Sequence, residues 1–373
     1  MSRSLNVTTV LGARPQFIKA APVLHELARR GHRSVLIHTG QHYDHGMSAV
    51  FFDELDIPAP QHNLEVGSRS HGAMTAHIMT KLEPLLLESK PDVVLVFGDT
   101  NSTLAAALVA CKLRLTVAHV EAGLRSYNRE MPEEHNRVVA DHVSDLLFCP
   151  TPTAVANLAK EGIERGVHLV GDTMVDALHY GRDQAGRGPR TLERLDVAAR
   201  SYILTTLHRP YLTDVPQALG DVLSALGKVG KTVLFPCHPR TRLRLEESGL
   251  ELPANVRLLE PVGYLDMVQL TASAALVVTD SGGLQKEAFV LGVPCVTVRP
   301  ETEWVETVAL GWNRVVGHDP QAIVDAACRD GWPKEAPPRV YGEGHAAVEI
   351  VARLASSMPA LAEPSAKALA DMK

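Results

Sequence analysis

Short runs rich in β-branched residues recur along this chain, and each is apolar throughout instead of alternating with polar residues. In the first half they fall at Asn6–Leu11, 34–38, Val93–Phe97, Thr116–Val120, Leu146–Cys149 and 168–170. Unbroken apolar runs of this length suit parallel strands buried on both faces. Longer amphipathic stretches separate them, which gives the β-α-β-α order of a doubly wound α/β sheet. After a turn-rich segment at 187–190 the rhythm restarts at 201–206, Thr232–Pro236, Val256–Leu259, 275–279 and 295–298, so a second parallel sheet is expected. A chain of 373 residues also exceeds the size at which one hydrophobic core stops growing. The expectation is α/β with two Rossmann-like domains, 1–175 and 176–351. A Pro-rich break at 332–338 precedes an Ala-rich helical tail, 352–373, expected to pack back onto the first domain.

Composition narrows the function classes. No run of about 18 apolar residues offers a membrane span, and residues 1–14 lack the basic, apolar and small-residue order of a secretory leader. A cytoplasmic protein is expected. Cys111, Cys149, Cys237, Cys295 and Cys328 are far apart with no C-x-x-C, which reads as reduced core thiols rather than a disulfide frame or zinc site. A net charge of -6 argues against a nucleic-acid partner, since phosphate backbones select basic faces.

Ligands of open α/β sheets bind beyond the carboxyl ends of the strands, so the residues just after each run carry the functional reading. The first such loop is Gly12-Ala13-Arg14-Pro15-Gln16-Phe17-Ile18-Lys19. It sets Arg14 and Lys19 at a helix N-terminus, either as phosphate ligands or as solvated cations beside a Pro-initiated helix. Asp99, in Gly98-Asp99-Thr100-Asn101-Ser102, is a helix cap or a catalytic acid. Glu121, in His119-Val120-Glu121-Ala122-Gly123-Leu124-Arg125-Ser126, follows an apolar strand directly, where a half-buried carboxylate needs a partner or a raised pKa. Glu133 and Arg137 lie four apart after Pro132 and share a helix face, as an ordinary ion pair or as site residues. In the second half His208 and Arg209 follow one run, and His238 and Arg240 the next. They are satisfied loop residues or groups that enclose a pyrophosphate. Asp280-Ser281-Gly282-Gly283 forms a small-residue turn into a helix whose backbone amides can cradle phosphate. Glu287 on that helix is a ribose-hydroxyl acceptor or an exposed acid.

Read in order, G-x-R-P-x-x-I-K, G-D-T-x-S, H-V-E-A-G-L-R-S, P-E-E-x-N-R, T-x-H-R, H-P-R-T and D-S-G-G-x-Q-K-E-A resemble the non-hydrolysing UDP-N-acetylglucosamine 2-epimerase family over nearly the whole chain. That resemblance implies two Rossmann-like domains facing across a cleft in a glycosyltransferase-B arrangement, with no cofactor and no metal, and a homodimer. It implies reversible epimerisation at carbon 2 of UDP-N-acetylglucosamine, giving UDP-N-acetylmannosamine, by elimination of UDP to a 2-acetamidoglucal and re-addition. Asp99, Glu121 and Glu133 match the family's catalytic carboxylates, with His208 beside them. Arg14, Lys19, Arg137, His208, His238, Ser281, Gly282, Gly283 and Glu287 match groups that hold UDP and sugar. Pro210-Tyr211-Leu212 and Trp304 depart from the family pattern, as does the loop Thr39-Gly40-Gln41-His42-Tyr43-Asp44, at a place linked to activation by a second UDP-sugar molecule. Those departures leave open a diacetamido uronic acid substrate. A hydrolysing epimerase that releases UDP and N-acetylmannosamine, a UDP-sugar glycosyltransferase and a non-catalytic sensor are the other readings. His38, His42 and His45 lack the spacing of a metal site.

Overall fold

The computed structural model describes residues 4–41, 54–185 and 191–362, and these divide into two compact units. Unit 1 comprises residues up to Ala177 together with those from Tyr341 onward, and unit 2 runs from Leu178 to Val340. Among the described residues, unit 1 carries β1 (Asn6–Leu11), β2 (Arg33–His38), β3 (His62–Asn63), β4 (Val93–Phe97), β5 (Thr116–Val120), β6 (Leu146–Cys149) and β7 (Val167–Leu169). They form one sheet in the order β3-β2-β1-β4-β5-β6-β7, and its paired strands are parallel.

Unit 2 repeats the plan with β8 (Tyr202–Thr206), β9 (Thr232–Pro236), β10 (Val256–Leu259), β11 (Leu276–Thr279), β12 (Cys295–Thr297) and β13 (Asn313–Val315). Their order is β10-β9-β8-β11-β12-β13, again with parallel pairs. In each sheet the strand order reverses once, between β1 and β4 in unit 1 and between β8 and β11 in unit 2. Such a reversal opens a crevice at the carboxyl ends of the two flanking strands, because their following helices leave on opposite faces. The loops singled out in the sequence after β1, β4, β8 and β11 flank these two switch points.

The apolar runs become strands because helices cover them. Val10, Val94, Val96 and Val117 pack against Ile78 and Leu82 of the helix His71–Ser89 and against Ala105, Ala106 and Val109 of the helix Asn101–Lys112. Each such Val, Leu or Ile side chain taken from water contributes about 1.5–3 kcal/mol. Two strands, β3 and β13, have no apolar run to announce them. His62 and Asn63 are exposed and polar, and β13 begins on an asparagine. The cysteine expectation needs correction: Cys149, Cys237 and Cys295 are buried, but Cys111 and Cys328 are exposed near helix ends. Burial pushes the Cys149 thiol up to about 12.

The chain rejoins unit 1 at Tyr341, whose carbonyl accepts from Asp172 N at 2.9 Å, ahead of the helix Ala346–Ala362. The Asp176 carboxylate caps that helix, accepting from Ala346 N at 3.2 Å and Ala347 N at 3.0 Å. Ile350, Val351 and Leu354 are buried, and the helix packs on Arg14–Arg29, with Arg30 Nη2 donating to Val348 O at 3.1 Å.

Candidate active site

Unit 1 gathers two carboxylates at the tips of adjacent strands. Asp99 follows β4 and Glu121 follows β5, and these strands pair directly. The helix cap at this point is Thr100, whose side chain accepts from Thr103 N, so Asp99 is released from capping. Its carboxylate instead pairs with Arg137 Nη2 from the helix Pro132–Val143. Arg137 Nη1 also reaches Glu134 at 3.1 Å. Glu134 in turn accepts from Ser126 N, Ser126 Oγ and Tyr127 N at 2.9–3.0 Å, which ties the segment after β5 to this helix. Glu133, the sequence candidate, lies half-buried in the first turn of the same helix.

Glu121 adopts a left-handed backbone, φ 70°. A non-glycine residue there carries about 1–2 kcal/mol of strain, which the surroundings must over-determine. Phe148 O accepts from both Glu121 N and Ala122 N at 3.1 Å, and the Glu121 carboxylate pairs with Lys19 Nζ from the helix after β1. Gly98, at φ 60°, lets the β4 loop pass close by: a Cβ there would stand 3.3 Å from Glu121 Oε2 and 3.7 Å from Lys19 Nζ. Lys19, expected as a phosphate ligand, is thus beside a catalytic candidate. Arg14 occupies the first turn of its helix.

The loop after β1 is closed by a residue that the sequence reading left without a role. Gln16 Oε1 accepts from Gly12 N at 2.8 Å and Ala13 N at 3.0 Å, while its amide donates to Phe97 O at 2.7 Å and Thr103 Oγ1 at 3.0 Å. It therefore staples the two loops of the switch point. Gly12 is required for close approach, since a Cβ would lie 2.0 Å from Ser102 Oγ and 2.3 Å from Thr39 Oγ1. Ser102 Oγ bonds Gln41 Oε1 at 2.8 Å, whereas His42, Tyr43, Asp44 and His45 lie outside the described residues. No cluster of metal-ligating side chains occurs among the described residues.

In unit 2 the switch point is organised by Asp280, directly after β11 and fully buried. One of its oxygens accepts from His208 N at 2.7 Å and Arg209 N at 2.8 Å, and the other stands 2.9 Å from His208 Nδ1. Burial alone would raise this carboxyl. The His208 charge and hydrogen bonds hold it below the usual carboxylate range. Ser281 caps the helix Gly282–Val290 by accepting from Leu284 N, so that the amides of Gly282 and Gly283 sit in a first turn with no intrahelical acceptor. A Cβ on Gly282 would lie 2.4 Å from Glu303 Oε1, itself ion-paired to buried Arg299 at 3.1 Å, while one on Gly283 would meet Ser281 Oγ at 3.9 Å and no nearer atom. The second position leaves room for an anion against the helix end.

Glu287 is buried rather than an exposed helix acid, and its charge adds to burial in pushing the Tyr264 phenol well above its usual value. His238 is exposed and caps the helix Pro239–Ser248, its ring nitrogen accepting from Arg240 N at 3.2 Å. Pro210-Tyr211-Leu212 opens the short helix Pro210–Thr213. The departure at Trp304 also has a physical account: the ring is buried beneath Lys286 Nζ at 4.1 Å, a cation–π contact that houses a fully buried lysine.

The sequence profile described as UDP-N-acetylglucosamine 2-epimerase matches residues 25–355. A UDP-N-acetylglucosamine 2-epimerase of Methanococcus maripaludis is 44% identical over 85% of this chain and 89% of its own length. A UDP-2,3-diacetamido-2,3-dideoxy-D-glucuronate 2-epimerase of Pseudomonas aeruginosa is 45% identical over 94% of this chain and 99% of its own. Among solved structures, the Methanocaldococcus jannaschii UDP-GlcNAc 2-epimerase in complex with UDP-GlcNAc and UDP superposes with a TM-score of 0.88. It is 40% identical, covering 94% of this chain and 99% of that one.

Proposed function

This chain belongs to the UDP-N-acetylglucosamine 2-epimerase family, and from that premise we propose that it is an isomerase interconverting UDP-N-acetylglucosamine and UDP-N-acetylmannosamine. The observation that carries the reading is the pair of cation-bound carboxylates, Asp99 with Arg137 and Glu121 with Lys19, at the ends of neighbouring strands. Inversion at carbon 2 needs an acid and a base that act on opposite faces of one carbon. A base removes the carbon 2 proton while UDP leaves carbon 1 with the bonding electrons, which forms a 1,2 double bond. Delivery of a proton to the other face of carbon 2 and return of UDP to carbon 1 complete the epimer. Asp99, Glu121 and Glu133 are the proposed proton-transfer groups, and such positioned transfer contributes about 10²- to 10⁴-fold.

The departing diphosphate gathers negative charge, so donors fixed in advance lower the barrier. Arg14, Lys19, Arg137, His208, His238 and the Ser281-Gly282-Gly283 turn are proposed for that work, with Glu287 accepting from ribose hydroxyls. The same proposal takes the enzyme to be a cytoplasmic homodimer, supported by the family resemblance and by the lack of a membrane-spanning helix among the described residues. The 45% identity to the Pseudomonas aeruginosa relative supports an alternative reading, in which the substrate is UDP-2,3-diacetamido-2,3-dideoxy-D-glucuronate and the proton chemistry is the same.

Proton NMR with each nucleotide sugar in heavy water tests both. Deuterium at carbon 2 of an epimer, with no free sugar, is the expected result and identifies the substrate. Release of free N-acetylmannosamine with UDP identifies the hydrolysing reaction instead. No exchange with either sugar overturns the epimerase reading.

A further inference from the structure

A buried polar cluster in unit 1 takes no part in the reaction above, yet it surrounds Glu121 on both sides. Asp141, from the helix Pro132–Val143, is inaccessible to solvent and accepts from three groups of β5 and the segment after it: His119 Nδ1 at 2.7 Å, Gly123 N at 3.1 Å and Arg125 Nη1 at 2.7 Å. Arg125 is anchored further by a two-pronged contact to Glu161, with Nε to Oε1 at 2.7 Å and Nη2 to Oε2 at 2.8 Å. One carboxylate thus grips the chain before and after the strained residue. His119 does more. Its other nitrogen, Nε2, bonds Gly98 O at 2.7 Å, one residue before Asp99. Both partners of the ring are acceptors, and the Asp141 charge lies against the ring and the Arg125 guanidinium among buried side chains. Burying such a pair stabilises little by itself, and often less than an apolar core would, so its placement calls for a reason other than stability.

We propose that His119, held by Asp141, is a positioning residue that ties the loop carrying Asp99 to the loop carrying Glu121 and fixes the spacing of the two carboxylates. The proposal rests on the functional reading given above. Proton transfer to opposite faces of one carbon tolerates little change in that spacing, and a displacement of about 1 Å costs on the order of 10²-fold in rate.

Two substitutions separate the two hydrogen bonds of the ring. His119→Gln reaches as far as Nε2 and keeps a donor for Gly98 O. His119→Asn reaches only as far as Nδ1, keeping the donor for Asp141 and losing the bridge. We expect kcat to fall by about 10- to 100-fold in His119→Asn, with KM within about threefold of wild type, and to be largely retained in His119→Gln. An activity-independent readout is the ¹³C carboxyl resonance of Glu121, identified by its loss in Glu121→Gln. It moves in His119→Asn and stays in His119→Gln. Asp141→Asn keeps an oxygen for His119 while removing the charge shared by Gly123 and Arg125. It provides a second variant with the same expected shift and at least about a tenfold loss of kcat. Equal losses in the two His119 variants, full activity in His119→Asn, or a stationary Glu121 resonance in both His119→Asn and Asp141→Asn overturns the proposal. A wild-type protein silent in heavy water removes the functional reading alone, because the resonance still reports on the bridge.

Discussion

His208 Nδ1 lies 2.9 Å from a carboxylate oxygen of Asp280, and this contact joins the loop after β8 to the phosphate-type turn after β11. In the proposed site Asp280 would act on UDP indirectly, by fixing the histidine and the two backbone amides beside it. Asp280→Ala should weaken UDP binding by at least about tenfold, roughly 1.4 kcal/mol, while Asp280→Asn, which keeps an acceptor for those amides, should lose less. Calorimetric titration with UDP checks both, and equal affinity in wild type and Asp280→Ala would separate this contact from nucleotide binding.

Removing the proposed proton-transfer groups should leave binding nearly intact. Glu121→Gln and Asp99→Asn are expected to lower kcat by at least about 10²-fold, with UDP affinity within a few-fold of wild type. Retained turnover in either purified, folded variant would remove that carboxylate from the chemistry.

Gly12→Ala tests the close approach at the first switch point. The added methyl meets Ser102 and Thr39 oxygens at 2.0 and 2.3 Å, so the β1 loop or the helix behind it must shift. Overpacking of this kind costs about 1–3 kcal/mol, and a lowered urea midpoint with an unchanged slope is the expected signature. A midpoint equal to that of wild type would mean that the site yields freely.

Asp176 gives a pH dependence of unusual sign. Burial, opposed by hydrogen bonds from Ala347 and Ala346, raises its carboxyl to about 6. A raised carboxyl means that the folded state holds its proton longer than the unfolded state. The stability from this group is greatest at acid pH and is lost as pH rises from about 4 through about 6. Relative to wild type, Asp176→Asn should gain stability progressively across that window, by at most about 3 kcal/mol. Thermal melts of both proteins between pH 4 and 7 measure the difference, and a constant gap across the window would contradict the assignment.

Both parallel sheets and the loops at their carboxyl ends were legible in the sequence, because strands buried on two faces leave unbroken apolar runs and short loops follow each one. β3 and β13 were not, since the strands at those sheet edges need little apolar surface. The candidate carboxylates Asp99 and Glu121 could be found by their position after strands. Their partners could not. Lys19 reads in the sequence as a phosphate ligand, since a cation near a helix start suits an anion, and its contact with Glu121 becomes visible only in the tertiary structure. Asp141 left one faint signal: with Glu134 and Arg137 it makes a charged stripe at spacings of three and four residues on the buried face of a single helix. A helix that buries its charges must be answering charges elsewhere. Asp280 and Gln16 stood inside quoted motifs but lacked a role until their hydrogen bonds were seen.

Unit 1 is assembled from two stretches of chain with unit 2 inserted between them, and its helix Ala346–Ala362 packs on the helix that follows β1. During synthesis the ribosome therefore releases all of unit 2 before the last layer of unit 1 exists. Unit 2, continuous in sequence, can complete its fold as it emerges, while the helix Arg14–Arg29, beside the sheet bearing Asp99 and Glu121, waits for the helix that packs on it. The half of the enzyme made first is the half finished last.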